Sequence, residues 1–353
     1  MILRSGSGFR EGLRDGIRDR RGPGRGAIER YVRGSWGEPG AGLRGLAALY
    51  GAATDLRNGL WDAGVFRARR VAAPVISIGG LSTGGSGKTP LTAALARMLA
   101  DAGLRPAVVT PGQGDELRLH AEINPDIPVS GGRWRTPLAR AAVAGGAEVV
   151  LLDSGFQHRR LHRDLDIVAC NVDQAAERNR LPAGPYRERL AAVRRGDAAV
   201  LVRRAASAEQ AEDLEEELAS RAPGLHVAHV EFRSDGLRPA NLAAEGIDRP
   251  DPAVAVAGVM WPETFFRWLP QEGLHPEHKI ALPDHARYDA GTTGHLVEAA
   301  GQRGLVCTRK DAVRLAAVLS QEVPVWWLAE ALDWQTGGAM LLAGIRRVAG
   351  APP

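Results

Sequence analysis

Between residues 75 and 221 the chain alternates short apolar runs with longer segments whose apolar residues repeat every three or four positions. The short runs predict buried strands at 75–78, 106–110, 147–153, 165–172 and 198–203. The longer segments predict helices at 91–102, 137–145 and 208–221. Because strands that alternate with helices pack as a parallel sheet covered on both faces, this part of the chain predicts a doubly wound α/β fold.

A second cycle of strands and helices follows in the C-terminal part of the chain. Predicted strands lie at 226–232, 253–257, 304–308 and 323–328, with predicted helices at 263–269 and from 311 onward. The segment Ser234–Pro252 holds scattered Pro, Gly and Asp residues and predicts a loop. We therefore expect two doubly wound α/β/α domains, at 36–205 and, smaller, at 206–353, preceded by a basic, flexible tail at 1–35.

Two amphipathic segments precede the first predicted strand. In the tail, Phe9, Leu13 and Ile17 stand at spacing four among arginines. The tail is either a short basic helix on an anionic membrane or a disordered extension, and we favour the extension because its glycines weaken a helix. Further along, apolar residues from Leu43 to Leu60 form a helical stripe, which predicts a helix that packs on the core or one that lies on a membrane.

Composition narrows the class of protein. The 353 residues include no uninterrupted apolar stretch of the ~18 residues that a membrane-spanning helix needs. No aromatic interleaving or known module in the basic tail supports binding to nucleic acid. We expect no secretory signal, because the first residues lack a hydrophobic core, and we expect buried, reduced thiols at Cys170 and Cys307, because both fall in predicted strands.

A glycine-rich segment between a predicted strand and a predicted helix holds one of the chain's three lysines. The segment reads Gly84-Gly85-Ser86-Gly87-Lys88-Thr89. This arrangement predicts a phosphate-binding loop for ATP, in which backbone amides hold the β-phosphate, Lys88 reaches the β and γ oxygens, and Thr89 holds Mg²⁺. Arginine is not equivalent to the compact ammonium group of that lysine. The alternative interpretation is a flexible turn rich in Gly and Ser.

A carboxylate follows the loop in the order that phosphate-loop enzymes use. The apolar strand that begins at Ala147 ends in Asp153, where such a carboxylate sits beside the metal ion. Because Asp also ends many strands as a turn residue, Asp153 gains significance only from the upstream loop. The strict loop pattern places glycine six positions before the lysine, but this chain has Ser82 there, so the sequence predicts a variant loop.

Several motifs in a fixed order make the chain resemble the tetraacyldisaccharide 4′-kinases of lipid A synthesis. The loop from Gly79 to Pro90 is similar to the family's Gly-Asn-x-Thr-x-Gly-Gly-Thr-Gly-Lys-Thr-Pro, including its substituted first glycine. The further motifs, within aligned pieces from about Trp36 to Trp334, are Asp153-Ser154-Gly155-Phe156-Gln157-His158, Leu181-Pro182-Ala183-Gly184-Pro185-Tyr186-Arg187-Glu188, Leu282-Pro283-Asp284-His285 with Tyr288, and Thr308-Arg309-Lys310-Asp311-Ala312-Val313.

The resemblance implies an enzyme that moves the γ-phosphoryl group of ATP to the 4′-hydroxyl of a lipid A disaccharide 1-phosphate. It implies Asp115 as the base that takes the hydroxyl proton, His285 from the second domain as the partner of that base, and Glu116 with Asp153 and Thr89 at Mg²⁺. Without the resemblance, Asp115 reads as a turn residue and His285 as a core histidine.

The same resemblance implies where the enzyme works. The expected partners are the glycolipid and the membrane surface, with no obligatory protein partner. The expected location is the cytoplasmic face of the bacterial inner membrane, as a peripheral or monotopic protein. The second domain would close over the active site, and the apolar stripe at 43–60 then favours a helix on the membrane.

Four departures from the family pattern leave alternatives open. Ser154 stands where the family has a second acidic residue, Arg309 where it has Glu, and Gly80 where it has Asn. The stretch before Asp115 is shorter than in the family, so the alignment of that residue is the least secure. The alternatives are a divergent copy that binds ATP without turnover or uses another acceptor, and a nucleotide-switch ATPase.

Overall fold

The computed structural model describes residues 39–350 except 113, 176–177, 249, 260, 284–285, 287, 316–317 and 320–322. The expectations for the tail at 1–35 and for His285 lie outside the described residues. The contacts of the chain form two compact units. Within the described residues, the larger unit comprises 39–232 and 332–350, and the smaller unit comprises 233–331. The expected boundary between two domains, 36–205 and 206–353, stays a prediction.

The described residues fold into α-helices and strands that alternate along the chain. The helices are α1 (Ala41–Asp62), α2 (Lys88–Asp101), α3 (Asp115–Ile123), α4 (Arg135–Ala144), α5 (Ala208–Arg221), α6 (Pro262–Trp268), α7 (Ala290–Ala300), α8 (Arg309–Leu315) and α9 (Gly338–Ala349). The strands are β1 (Val75–Gly80), β2 (Pro106–Thr110), β3 (Val129–Gly131), β4 (Val149–Asp153), β5 (Leu165–Asn171), β6 (Ala198–Arg203), β7 (His226–Pro239), β8 (Val254–Ala257), β9 (His278–Ala281), β10 (Leu305–Thr308) and β11 (Val325–Thr336).

A parallel sheet in the order β3-β2-β4-β1-β5-β6-β7 forms the centre of the larger unit. Strand β1 lies between β4 and β5, with Ile78 beside Asp153 on one side and beside Ile167 on the other. Ligands of open parallel sheets bind beyond the carboxyl ends of such strands. The register therefore brings the glycine-rich loop, which follows β1, next to the carboxylate that ends β4.

The core around β1 is packed without room for larger residues. A β-carbon on Gly79 would stand 2.3 Å from Cβ of Phe156, which is itself fully buried. Phe156 belongs to an apolar cluster that also includes Val168, Leu201 and other buried side chains of the sheet and α5. Close packing of this kind fixes the strand ends that carry the candidate site.

The smaller unit contains its own parallel strands, in the order β11-β10-β8-β9. Its apolar core joins strands β8 and β10 to helix α7 through fully buried residues such as Val254, Leu296 and Leu305. Helix α7 begins at Asp289, whose side chain accepts a hydrogen bond from the backbone N–H of Thr292 and so caps the helix.

The α/β fold class is confirmed, and the bounds of β2, β6 and α5 coincide with the expectations from sequence. The loop expected at Ser234–Pro252 is wrong in its first part, because β7 continues to Pro239. Beyond Phe232 the strand loses its buried alternation, so backbone pairing rather than side-chain pattern continues it. Helices α3, α7 and α9 and strands β3 and β9 were not expected from the sequence.

Helix α1 carries its apolar stripe largely on the surface. Leu46, Leu49 and Leu56 are more than half exposed, and the buried residues of the helix are Ala47 and Gly51. These side chains of the stripe therefore do not pack into the core, contrary to the interpretation of α1 as a core-packing helix. Among the helices of the described residues, none has the length and apolar character needed to cross a membrane.

Candidate active site

The glycine-rich loop turns sharply between β1 and α2. Gly84, Gly85 and Gly87 have positive φ angles of 58°, 61° and 68°, a region that glycine adopts without strain. Gly87 caps α2, and a β-carbon there would stand 3.0 Å from Cγ1 of Val202. Helix α2 therefore begins at Lys88, three residues before the expected position at Leu91, with its backbone N–H groups at the loop.

Lys88 lies half-buried inside this loop. Its Nζ donates a hydrogen bond to Oγ of Ser86, a buried side chain of the same loop. Burial, and to a smaller extent the charge of Arg187, lowers the pKa of Lys88 to about 8, although Asp153 and Glu116 act in the opposite direction. The ammonium group is thus held without full solvation, ready to interact with an anion that replaces water.

Thr89 and Asp153 meet beside Lys88. Oγ1 of Thr89 donates a hydrogen bond of 2.8 Å to Oδ2 of Asp153, which is fully buried. Burial raises the pKa of Asp153, but hydrogen bonds from His120 and Thr89 and the charge of Lys88 outweigh it and hold the pKa below its ordinary value. A hydroxyl and an ionised carboxylate therefore stand together next to a phosphate-binding loop.

These two oxygen ligands fit a magnesium ion that is shared with nucleotide phosphates. Mg²⁺ prefers hard oxygen ligands and is commonly held by one or two protein groups, substrate phosphates and water. Within the described residues, no three His, Cys, Asp or Glu side chains form a group that could hold a metal ion. A metal ion here would be held by Thr89 and Asp153 together with phosphate oxygens of the nucleotide.

Asp115 and Glu116 occupy the first turn of α3, where the helix dipole favours acidic residues. Glu116 is close enough to Lys88 to raise the pKa of that lysine, so the structure brings these two predicted residues into electrostatic contact. The role of Asp115 as a base, and its meeting with His285, stay predictions.

Two further polar residues, Arg135 and His120, contact Asp153 and its neighbour but were not identified from the sequence. Arg135, in the first turn of α4, donates hydrogen bonds to the backbone carbonyls of Asp153 at 3.1 Å and Ser154 at 2.9 Å. Ser154 has a positive φ of 54°, which is rare for a residue other than glycine, and Arg135 supports this turn. The second residue is His120, whose Nε2 lies 3.0 Å from Oδ2 of Asp153.

The motifs around Gln157 and Glu188 form hydrogen bonds that hold the end of β1, where the loop begins. Nε2 of Gln157 donates to the carbonyl of Gly80 at 2.9 Å and to Oε1 of Glu188 at 3.1 Å. Asn58 of α1 donates to Oε2 of the same carboxylate at 2.6 Å, and Arg195 pairs with it. The end of β1 is thus connected through two side chains to the surface helix α1.

The two C-terminal motifs meet in the smaller unit. The buried carboxylate of Asp311 accepts hydrogen bonds from Oγ1 of Thr308 at 2.7 Å, from the hydroxyl of Tyr288 at 2.8 Å and from the N–H of Gly258 at 2.8 Å. Burial raises the pKa of Asp311 more than these hydrogen bonds lower it. Arg309, which replaces an acidic family residue, stacks on Trp327 with its guanidinium 4.7 Å from the ring centroid.

The parallel sheet and the glycine-rich turn between β1 and α2 are typical of α/β proteins that bind a nucleotide through a phosphate loop. The family model for the tetraacyldisaccharide-1-P 4'-kinases matches residues 40–119 and 111–345. The chain belongs to this family.

Curated relatives agree with this assignment. The tetraacyldisaccharide 4'-kinase of Anaeromyxobacter sp. (strain K) is 37% identical over 315 residues, which cover 80% of this chain and 82% of the relative. That of Geobacter sulfurreducens is 35% identical over 328 residues, covering 81% and 87%. The crystal structure of "apo" form LpxK from Aquifex aeolicus in complex with ATP has a TM-score of 0.68 and 26% identity, and covers 87% of this chain and 98% of that chain.

The lowered pKa of Lys88 predicts a pH-dependent affinity for ATP. As the pH rises through about 8, the free protein loses the ammonium proton, so the Kd for ATP measured in EDTA should increase by up to about tenfold per further pH unit. Isothermal titration calorimetry between pH 7.5 and 9.5 checks this. The Lys88→Ala variant should bind more weakly and show a flat profile; an equally steep profile in that variant would assign the effect to another group.

Proposed function

We propose that this protein transfers the γ-phosphoryl group of ATP to the 4′-hydroxyl of a tetraacyldisaccharide 1-phosphate. The carrying observation is the cluster of Lys88, Thr89 and Asp153 at the carboxyl ends of β1 and β4, in a chain that belongs to the 4'-kinase family. Phosphoryl transfer requires positioning and charge stabilisation more than covalent chemistry, and this cluster offers both. Family membership does not favour the nucleotide-switch alternative.

In this proposal the loop amides and Lys88 bind the phosphates of ATP. The N-terminus of α2 presents its backbone N–H groups to the β-phosphate, and Lys88 neutralises charge on the transferred group. Because Lys88 is half-buried and partly desolvated, water screens its interaction with phosphate less than at an exposed site. Gln157 keeps the end of β1 in place through the carbonyl of Gly80.

Thr89, Asp153 and Glu116 would hold Mg²⁺ with the nucleotide. When bound, the ion supplies neutralisation of the phosphate charge that develops during transfer. Ser154, where the family pattern has a second acid, donates only a long hydrogen bond of 3.3 Å to Oδ1 of Asp153. The metal side of this proposed site therefore depends on fewer carboxylates than the family pattern provides.

Asp115 would accept the proton of the 4′-hydroxyl, with His285 as the partner that orients it. The first turn of α3 places Asp115 directly before Glu116, which is in electrostatic contact with Lys88. This position supports a base that stands near the transferred phosphoryl group.

The reaction itself can be tested by incubating the purified full chain with [γ-³²P]ATP, Mg²⁺ and tetraacyldisaccharide 1-phosphate in detergent micelles. We expect label on the glycolipid, and a loss of about 100-fold or more in Lys88→Ala, because the charge on the transferred group is then not neutralised. Lys279→Ala, which changes a lysine of β9 in the smaller unit, is the matched control. Absence of label on the glycolipid despite ATP binding would refute the proposed acceptor and favour the divergent copy.

The assignment of the base predicts a separate kinetic effect. Asp115→Asn should lower kcat by about 100- to 10,000-fold and leave the Kd for ATP within about twofold, because a base acts on the acceptor hydroxyl. Asp101→Asn, a surface carboxylate at the end of α2, serves as the control. A kcat near that of the unchanged protein would remove Asp115 from this role.

We further propose that α1 binds the cytoplasmic surface of the inner membrane. Its exposed leucines form one apolar face, and Arg67 and Arg69 are exposed just beyond the helix. Apolar side chains at the level of the lipid headgroups and arginines that reach anionic lipid are the usual components of an interfacial helix. Such a surface suits an enzyme whose acceptor keeps its acyl chains in the bilayer.

Replacement of two exposed leucines should weaken membrane binding. The double variant Leu49→Ser and Leu56→Ser should have a partition coefficient for anionic phosphatidylglycerol vesicles, measured by sedimentation, that is lower by at least about tenfold. The reason is that less apolar surface is transferred from water to the membrane. A control with Leu242→Ser and Met340→Ser alters two equally exposed residues outside α1. Equal losses in both double variants would mean that α1 is not the binding surface.

A further inference from the structure

His120 is a buried polar residue in an otherwise surface-lying helix. Its side chain is 2% exposed, and it is the one residue of α3 that is fully buried. A helix on a protein surface is usually fixed by an apolar stripe. In α3 the apolar residues Leu119 and Ile123 are only half-buried, and the one buried side chain makes the hydrogen bond from Nε2 of His120 to Oδ2 of Asp153 at 3.0 Å.

The chemistry of this hydrogen bond indicates which ring nitrogen of His120 carries a proton. The ionised carboxylate of Asp153 can only accept, so Nε2 of His120 carries the donated proton. The other ring nitrogen, Nδ1, is buried and has no hydrogen-bond partner within the described residues. A leucine would fill the same space without this cost, so packing alone does not explain a histidine here.

The position of His120 within α3 links it to the acidic end of the helix. Glu116 and His120 are four residues apart and therefore lie on one face of the helix. At the other end, Asn124 follows α3 and donates to the carbonyl of Ala93 in α2 at 2.9 Å. The helix is thus attached at its last turn, by His120 and Asn124, while Asp115 begins its first turn.

We propose that His120 is a positioning residue: its hydrogen bond to Asp153 aligns the metal-side carboxylate and, through α3, sets Glu116 and Asp115 against the phosphate loop. The proposal rests on the proposed function, since it assigns those three acids to phosphoryl transfer. It also bears on one departure of this chain, the serine at position 154. Ser154 makes only a 3.3 Å hydrogen bond to Asp153, whereas His120 contacts the same carboxylate at 3.0 Å and would orient it.

The test compares two substitutions at one position in the full chain. His120→Leu keeps the buried volume and removes the donor, whereas His120→Gln keeps a side-chain N–H that can reach Asp153. We expect the His120→Leu variant to require about 10- to 100-fold more Mg²⁺ for half-maximal transfer, because the loss of a hydrogen bond to a metal ligand commonly weakens metal affinity by that factor. Its kcat should be at least about tenfold lower. ATP affinity in EDTA should stay within about twofold, because Lys88 and the loop amides are unchanged.

His120→Gln should restore most of kcat and return the Mg²⁺ concentration for half-maximal transfer close to that of the unchanged protein. If His120 had only a structural role, the kinetic losses of the variants would instead parallel the decrease in their thermal midpoints of unfolding. His162→Gln makes the same change at a histidine that pairs with Asp164 outside the site, and should behave as the unchanged protein. Should His120→Leu fail to fold, His120→Asn replaces it, because its shorter side chain cannot span the same distance to Asp153.

Two results would overturn the proposal. One is an unchanged Mg²⁺ requirement and kcat in the folded variant that lacks the donor; the other is a glutamine variant no better than that variant at equal thermal midpoint. The failure of the proposed function is distinguishable. If the unchanged protein transfers no phosphoryl group to the glycolipid, the gain in ATP affinity on adding Mg²⁺, measured by calorimetry, still tests His120 independently of the acceptor.

Discussion

The buried carboxylate of Asp153 is the group on which the arrangement of the larger unit's functional elements depends. Its Oδ2 accepts hydrogen bonds from Thr89 of α2 and His120 of α3, so two helices and strand β4 meet at one atom. The backbone carbonyl of the same residue accepts from Arg135 of α4. A buried ion is tolerated only when it is hydrogen-bonded or paired, and the donors here come from three different helices. The charge thus organises its surroundings as well as the proposed chemistry.

Much of the family motif sequence serves the backbone rather than the reacting atoms. The carbonyl of Leu81 accepts from the N–H of Arg187, and the N–H of Thr83 donates to the carbonyl of Pro185. The loop and the Pro-Ala-Gly-Pro segment are therefore joined by main-chain hydrogen bonds, while Gln157 holds Gly80 by its side chain. Glycine-rich loops lose much conformational freedom on folding, and such contacts offset this cost.

The parallel strands and the loop were predictable because their signals are local: an apolar run, a glycine cluster and a lysine in sequence. The bonds of His120 and Arg135 were not, because each joins Asp153 across many residues and depends on how helices settle on the sheet. Helix α9 did have a readable pattern, with Leu341 and Ile345 buried at spacing four. Strand β9 has four residues and only one that is fully buried, so its pattern was too short to recognise.

Helix α1 has a consequence for anyone who would shorten this chain. Its exposed leucines invite removal to improve solubility, yet Asn58 on its inner side donates to Glu188, which is 1% exposed. A truncation after α1 would leave Glu188 with one hydrogen-bond donor fewer. It would also remove the hydrogen bond that the guanidinium of Arg57 donates to the backbone carbonyl of Gln157, which itself donates to Glu188. The fragment would gain solubility at the expense of the support behind β1. Solubility is better sought by changing the outer face of the helix and keeping its inner one.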